Sequence, residues 1–285
     1  MSKYIETYIG RHTFDSTIIH PGAVRLDELF EYFLVLRVHL RQVNPKNGKL
    51  TDTMKDYDGD ARTIIPWDQA SWLNFKTQYV KRVVQVWDKG FLLIPPASYD
   101  GFMWPAKGKR RDLLCRLKLV LEDARPKAHV KIRVVRLQNP TVHNFRSDAG
   151  TYSSDVVDPR TRHSSIDGSD ILGNSAAHEV GHLLGLTKHI NADDPQCKTN
   201  TEEICYGSTL AQEMNVMGKG SMLALKNARP WLRRIHRHAP PTHHSDWEVG
   251  WASAEAQMRG MGVKWIDEQG EKPKFPTYKP GLIDI

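Results

Sequence analysis

No stretch of this chain is apolar for long enough to cross a bilayer, and its opening, MSKYIETYIGRHTFDS, lacks the apolar core of a signal peptide. The expectation is a soluble protein without a membrane span, either cytoplasmic or secreted by a non-classical route. Cysteine is scarce as well: three in 285 residues cannot build the disulfide framework of a small secreted domain. Cys115 sits in an alternating apolar run and reads as a buried free thiol, whereas Cys197 and Cys205 flank a short loop and could be bridged in an oxidising compartment. Nor does one sign of charge dominate. Forty Lys and Arg against 33 Asp and Glu leave a net +7, with the two signs intermixed, a balance too mild for a nucleic-acid-binding surface. No latency segment or inhibitory cysteine is recognisable. What remains is an ordinary globular composition, 40% apolar and 26% charged, on a chain long enough to bury a substantial core. We read residues 1–285 as a single domain, whose oligomeric state the composition does not reveal.

Residues 32–43 alternate Leu34, Leu36, Val38 and Leu40 with Arg37, His39 and Arg41, the period of two that marks a strand with one buried face. A turn-rich stretch follows, in which Asp56, Asp58 and Asp60 surround Gly59. Alternate aspartates suggest calcium, but the glycine does not stand where an EF-hand loop needs it, so a solvated loop is the simpler reading. From the N-cap candidate Asp68 to a stop at Gly90, Trp72, Phe75, Tyr79, Val83, Val86 and Trp87 recur at helical spacing. Strands are expected at Phe91–Ile94, at 113–121 and at 130–134, with a further one at Thr151–Val157. Late in the chain, 223–238 reads as a helix, and Ser245-Asp246-Trp247-Glu248 reads as a capping box opening another helix toward Met258. The histidines at 236, 238, 243 and 244 lack an ordered ligand spacing and read as surface groups.

The chemistry gathers at 174–189, NSAAHEVGHLLGLTKH. A helix started by an Asn174 or Ser169 cap puts His178 and His182 on one face, one turn apart, with Glu179 beside them. Two imidazoles at that spacing can reach one zinc ion, and the glutamate is placed to take a proton from a water. Gly185 can turn the helix end through the left-handed region and bring His189 back toward the ion. Further on, Asn215-Val216-Met217-Gly218 reads as a tight turn carrying a methionine.

An extended H-E-x-x-H signature followed by a methionine turn resembles the metzincin clan of zinc endopeptidases, whose pattern is H-E-x-x-H-x-x-G-x-x-H. The order strand, long helix, several strands, zinc helix is similar to that clan over residues 32–217. The resemblance implies an α+β fold with a twisted, mostly parallel sheet backed by a long helix. It also implies a zinc-binding active-site helix and a mostly helical C-terminal part, divided into an upper subdomain near 30–187 and a lower one near 188–285. It further implies one catalytic zinc on His178, His182 and His189, Glu179 as general base, Met217 as a packing support beneath the metal, and hydrolysis of a protein or peptide substrate by a zinc-activated water. His189 follows Gly185 by four residues where the family has three, so Asp193 stays open as third ligand, and a zincin of another clan with an acidic third ligand at Glu202, Glu203 or Glu213 stands as a rival. The tyrosine that some relatives carry two residues after the methionine is here Lys219. A non-catalytic binding component on the same scaffold is the alternative to a peptidase, and the intact Glu179 argues against it. A peptidase of this kind could serve as a secreted or delivered effector.

Overall fold

A computed structural model of the chain describes residues 6–7, 14–19, 29–56, 58–101, 103–104, 109–110, 112–139, 147, 150–199 and 202–253. Among strands of three or more residues, β1 is Asp15–Ile19, β2 Phe30–Val43, β3 Asp52–Lys55 and β4 Ala61–Ile65. After helix α1, Gln69–Trp87, come β5 Phe91–Ile94, β6 Leu113–Leu121, β7 Val130–Leu137, β8 Thr151–Ser153, β9 Arg160–His163 and β10 Asp170–Gly173. Helices α2, Ser175–Leu183, α3, Leu210–Glu213, and α4, Arg229–His238, lead to β11, Glu248–Trp251.

The longest strand organises the sheet. In β2 every second residue from Phe30 to Leu40 is buried, as its alternation requires. Its first half pairs in parallel with β6, from Phe30 against Leu113 to Val38 against Leu121, and its second half in parallel with β7. Around this parallel centre the other pairs are mostly antiparallel: β1 on β2, β5 on β6, β11 on β5, and the β3–β4 hairpin on β7, with the short β8 adding a parallel partner to β7. The ten-stranded sheet is therefore mixed rather than mostly parallel. The connection from β2 to β6, through the β3–β4 hairpin and α1, is long enough to return a parallel strand, and the β3–β4 hairpin reverses direction by its shortness.

Helix α1 buries Phe75, Tyr79, Val83, Val86 and Trp87, and its N-cap is Asp68, whose side chain accepts from the Ser71 amide at 2.8 Å. That bond, with the Ser71 hydroxyl and Arg136, holds the Asp68 carboxyl down to about 2. The end of α1 carries the next element: Trp87 Nε1 donates to the Ala177 carbonyl at 2.9 Å, and Asn174 Nδ2 to the Arg82 carbonyl at 3.1 Å. The second helix is thereby fixed across α1.

Three expectations are corrected here. The strand expected over Thr151–Val157 ends at Ser153, and a single 3-10 turn, Ser154–Val157, completes the stretch. The capping-box reading of Ser245 fails because the Asp246 carboxylate accepts from the His243 amide at 2.7 Å, closing a 3-10 turn over His244–Asp246. The chain then extends as β11 on the free edge of β5. The described C-terminal part thus mixes short helices with a strand that returns to the sheet, and one buried cluster runs from Phe14 to Trp247. The continuation toward Met258 and the tail lie outside the described residues.

Candidate metal centre

Helix α2 begins at the Asn174 cap, whose side chain accepts from the Ala177 amide at 3.0 Å; Ser169 lies before β10 and caps nothing there. The helix ends after Leu183, and Gly185 turns the chain at φ 98°, in the region that favours glycine. The returning loop is pinned on two sides. The Ile190 amide donates to the Met217 carbonyl at 3.1 Å and the Asn191 amide to the Cys205 carbonyl at 3.0 Å, and His189, just before them, comes back to the helix. One additional residue after Gly185 is absorbed by this loop.

The outcome is a cluster of three imidazoles, His178, His182 and His189, offering ligand atoms that all lie within 4.8 Å of one another. Two backbone carbonyls set how the first two present themselves. His178 Nδ1 stands 2.7 Å from the Val216 oxygen, and His182 Nδ1 2.7 Å from the Leu186 oxygen. A carbonyl only accepts, so each Nδ1 carries a proton, and the ring in its neutral form presents Nε2 as a lone pair. These two Nε2 atoms are 3.2 Å apart. Nitrogens sharing one tetrahedral zinc at bond lengths of about 2.0–2.1 Å would be separated by about 3.3 Å. Facing lone pairs at that distance repel each other unless a cation lies between them. Burial, with the neighbouring His182 and His189, pushes the His178 imidazole well below its usual range, which keeps it in the neutral form that metal ligation needs. The donor set therefore fits a zinc ion.

Against the histidine helix packs Met217. The turn Asn215–Gly218 closes with the Gly218 amide on the Asn215 carbonyl at 2.8 Å, and the Asn215 side chain accepts from the Met217 amide at 2.8 Å. Met217 is buried against Gly181 of α2, where a Cβ would overlap its sulfur and stand 3.1 Å from Trp87 Cζ2. Gly181 is thus the point of close approach between the helix, the methionine turn and α1.

The acidic candidates for a third ligand are engaged elsewhere. Asp193 is exposed and pairs with Lys188 at 3.0 Å, and Glu202 accepts from the Thr199 amide at 2.9 Å beside the Cys197–Cys205 disulfide. Glu213 is fully buried, accepting from Ser164 Oγ at 2.6 Å and from Lys219 Nζ at 2.5 Å, while Glu203 also pairs with Lys219. Lys219, two residues after Met217, is therefore the cation of a buried network that ties the Ser164–Ser165 loop to the methionine turn. Burial opposes ionisation of both partners, but the hydrogen bonds prevail: Glu213 is held below its usual range and Lys219 above its own. Cys115 is the buried free thiol expected of it, and burial pushes its pKa well up.

Glu179 and His178 open onto a cleft of about 800 Å³, of the size that holds small ligands or a few residues of a chain. Tyr206, on the 3-10 turn Glu203–Tyr206, lines the same cleft and stacks on His189 with ring centroids 4.1 Å apart. Nothing in the local sequence marks it beyond its place next to Cys205. The aspartate loop lies at the turn between β3 and β4, where Asp56 and Asp60 meet the Arg62 guanidinium at 3.0 and 2.8 Å. Among the described residues no metal-ligand grouping includes these aspartates or the histidines at 236–244.

Comparison of the chain with known protein families, curated proteins and solved structures finds no match in any of the three.

Proposed function

We propose that the protein is a zinc-dependent endopeptidase of metzincin-like architecture, hydrolysing peptide bonds in a protein or peptide substrate. The observation that carries this reading is the convergence of His178, His182 and His189, with two Nε2 atoms 3.2 Å apart and Glu179 on the lip of the same cleft. His178, His182 and His189 would hold the ion through neutral imidazoles, and the two Nδ1–H bonds to carbonyls orient the rings and raise their basicity. Zinc, when bound, supplies Lewis acidity toward the scissile carbonyl and acidifies a coordinated water. Glu179 takes the proton of the attacking water and delivers it to the departing amine, which cannot leave as an amide anion. The stacked Tyr206 ring keeps His189 turned toward its partners, and Met217 packs under the helix without taking a chemical part. The Cys197–Cys205 bridge suits an oxidising compartment, which favours a secreted or delivered enzyme over one resident in the cytosol.

The test pairs metal analysis with cleavage of an unbiased peptide library. We expect about one zinc per chain, as a single three-histidine site requires. Glu179→Gln should keep that zinc while losing activity by roughly 10³-fold or more, since only the proton carrier is removed. A wild-type protein that binds zinc and cleaves no peptide would contradict the peptidase reading.

A further inference from the structure

We infer that Arg162 forms a subsite for a carboxylate of the bound chain, so that the cleft selects peptides carrying an acidic side chain or a free C-terminus near the reacting bond. This rests on the reading of the cleft as a peptide site. Arg162 lies on β9, paired with Ile171 of β10, the strand that runs through Gly173 and the Asn174 cap directly into the histidine helix. A Cβ on Gly173 would stand 3.7 Å from Arg162 Nε, so the side chain lies along the last turn of chain before the helix. It lines the cleft together with His178 and Glu179 and is half-buried there.

Its electrostatic situation differs from that of the other cations. Four arginines and lysines line the cleft among the described residues: Arg62, Arg160, Arg162 and Lys219. Arg62 is paired with Asp56 and Asp60, Arg160 with Asp155, and Lys219 with Glu203 and Glu213. Even the neighbouring His163 faces Asp170 at 2.9 Å. Arg162 alone of the four has no carboxylate partner among the described residues, and Arg160 two positions along the same strand adds like charge on the same face. A guanidinium that served the fold would be expected in an ion pair of the fold, as its three companions are. One half removed from water inside a cleft, with its planar fork of donors unmatched, is suited to a carboxylate arriving with a ligand, which it can hold through two parallel hydrogen bonds. Because the strand edge leads into the histidine helix, that carboxylate would sit within a residue or two of the bond facing Glu179.

The experiment uses the full zinc-loaded chain carrying Glu179→Gln, so that bound peptides persist, and fluorescein-labelled short random peptides scanned with Glu or Gln at each position, each with a free or an amidated C-terminus. Binding is read by anisotropy. We expect Glu at one position, or the free C-terminus, to strengthen binding on the order of tenfold over its neutral counterpart, as a charge-assisted pair does. Adding Arg162→Gln should bring that ratio to about one without altering zinc content, and Arg162→Lys should restore part of it. The Glu scan and the amidated series separate a side-chain carboxylate from a terminal one. Equal binding of acidic and neutral peptides, or a preference that survives Arg162→Gln, overturns the subsite. Wild-type cleavage without acidic preference would leave the peptidase standing and remove the subsite; acid-selective binding without cleavage would do the reverse.

Discussion

Gly181→Ala places two opposing effects in one position. In a helix interior alanine is favoured over glycine by about 1 kcal/mol, because it restricts the unfolded chain. Against this, the added Cβ meets the Met217 sulfur and lies 3.1 Å from Trp87 Cζ2, inside a layer where α2, α1 and the methionine turn are all buried. Overpacking of this kind costs about 1–3 kcal/mol. The sum is a net loss of about 0–2 kcal/mol, which for a chain of this size lowers the melting temperature by about 2 °C per kcal/mol. A double-mutant cycle isolates the cause. Met217→Ala by itself should cost about 2–5 kcal/mol through the cavity it leaves. In that background the collision with sulfur is gone, and Gly181→Ala should become neutral or stabilising by up to about 1 kcal/mol. A favourable coupling of about 1–3 kcal/mol is therefore expected between the two positions. It would be measured by urea unfolding of the four proteins with a chelator present, so that metal binding does not enter the balance. Additive effects, within about 0.5 kcal/mol, would mean that the helix and the methionine turn do not meet as described.

The buried Lys219–Glu213 pair sets a pH window. Glu213, held below its usual range, contributes stability that is present above the unfolded carboxylate value near 4.3 and is lost as pH falls through its folded value. Lys219, held above its own, contributes below about 10.4 and loses that contribution as pH rises through its folded value. Stability across pH should therefore fall off in acid, and Glu213→Gln, which leaves the buried Lys219 only the exposed Glu203 as an anionic partner, should destabilise the fold and flatten the acid limb; an unchanged limb would refute the role given to this pair. Tyr206→Phe should keep zinc affinity, whereas Tyr206→Ala, which removes the ring stacked on His189, should weaken it by about 10–100-fold in a chelator competition. His189→Ala should lose zinc under the same competition and Asp193→Ala should not; the opposite pattern would make the third ligand acidic.

Short-range periodicity carried a large share of this protein in its sequence. The alternation in β2, the aromatic stripe of α1 behind its Asp68 cap, and the Asn174 cap, histidine pair and Gly185 turn of α2 are each decided by residues a few positions apart, and each is found where that spacing puts it. Local pattern also misled where a tertiary partner competed with it. Ser245–Glu248 has the composition of a helix start, but the open edge of β5 offers a row of unpaired backbone groups, and the chain pairs with it as a strand. Strand direction, likewise, depends on which distant segment lies alongside, so the mixed pairing around β2 was not readable from alternation alone. The same holds for the site. Two of the three clustered histidines lie one helical turn apart and are set by the helix, while the place of His189 depends on carbonyls of Met217 and Cys205 that hold its loop. Tyr206, Lys219 with Glu213, and Arg162 acquire their roles only from neighbours many residues away, because burial and charge pairing are properties of the packed surface and not of the run of residues on which each one stands.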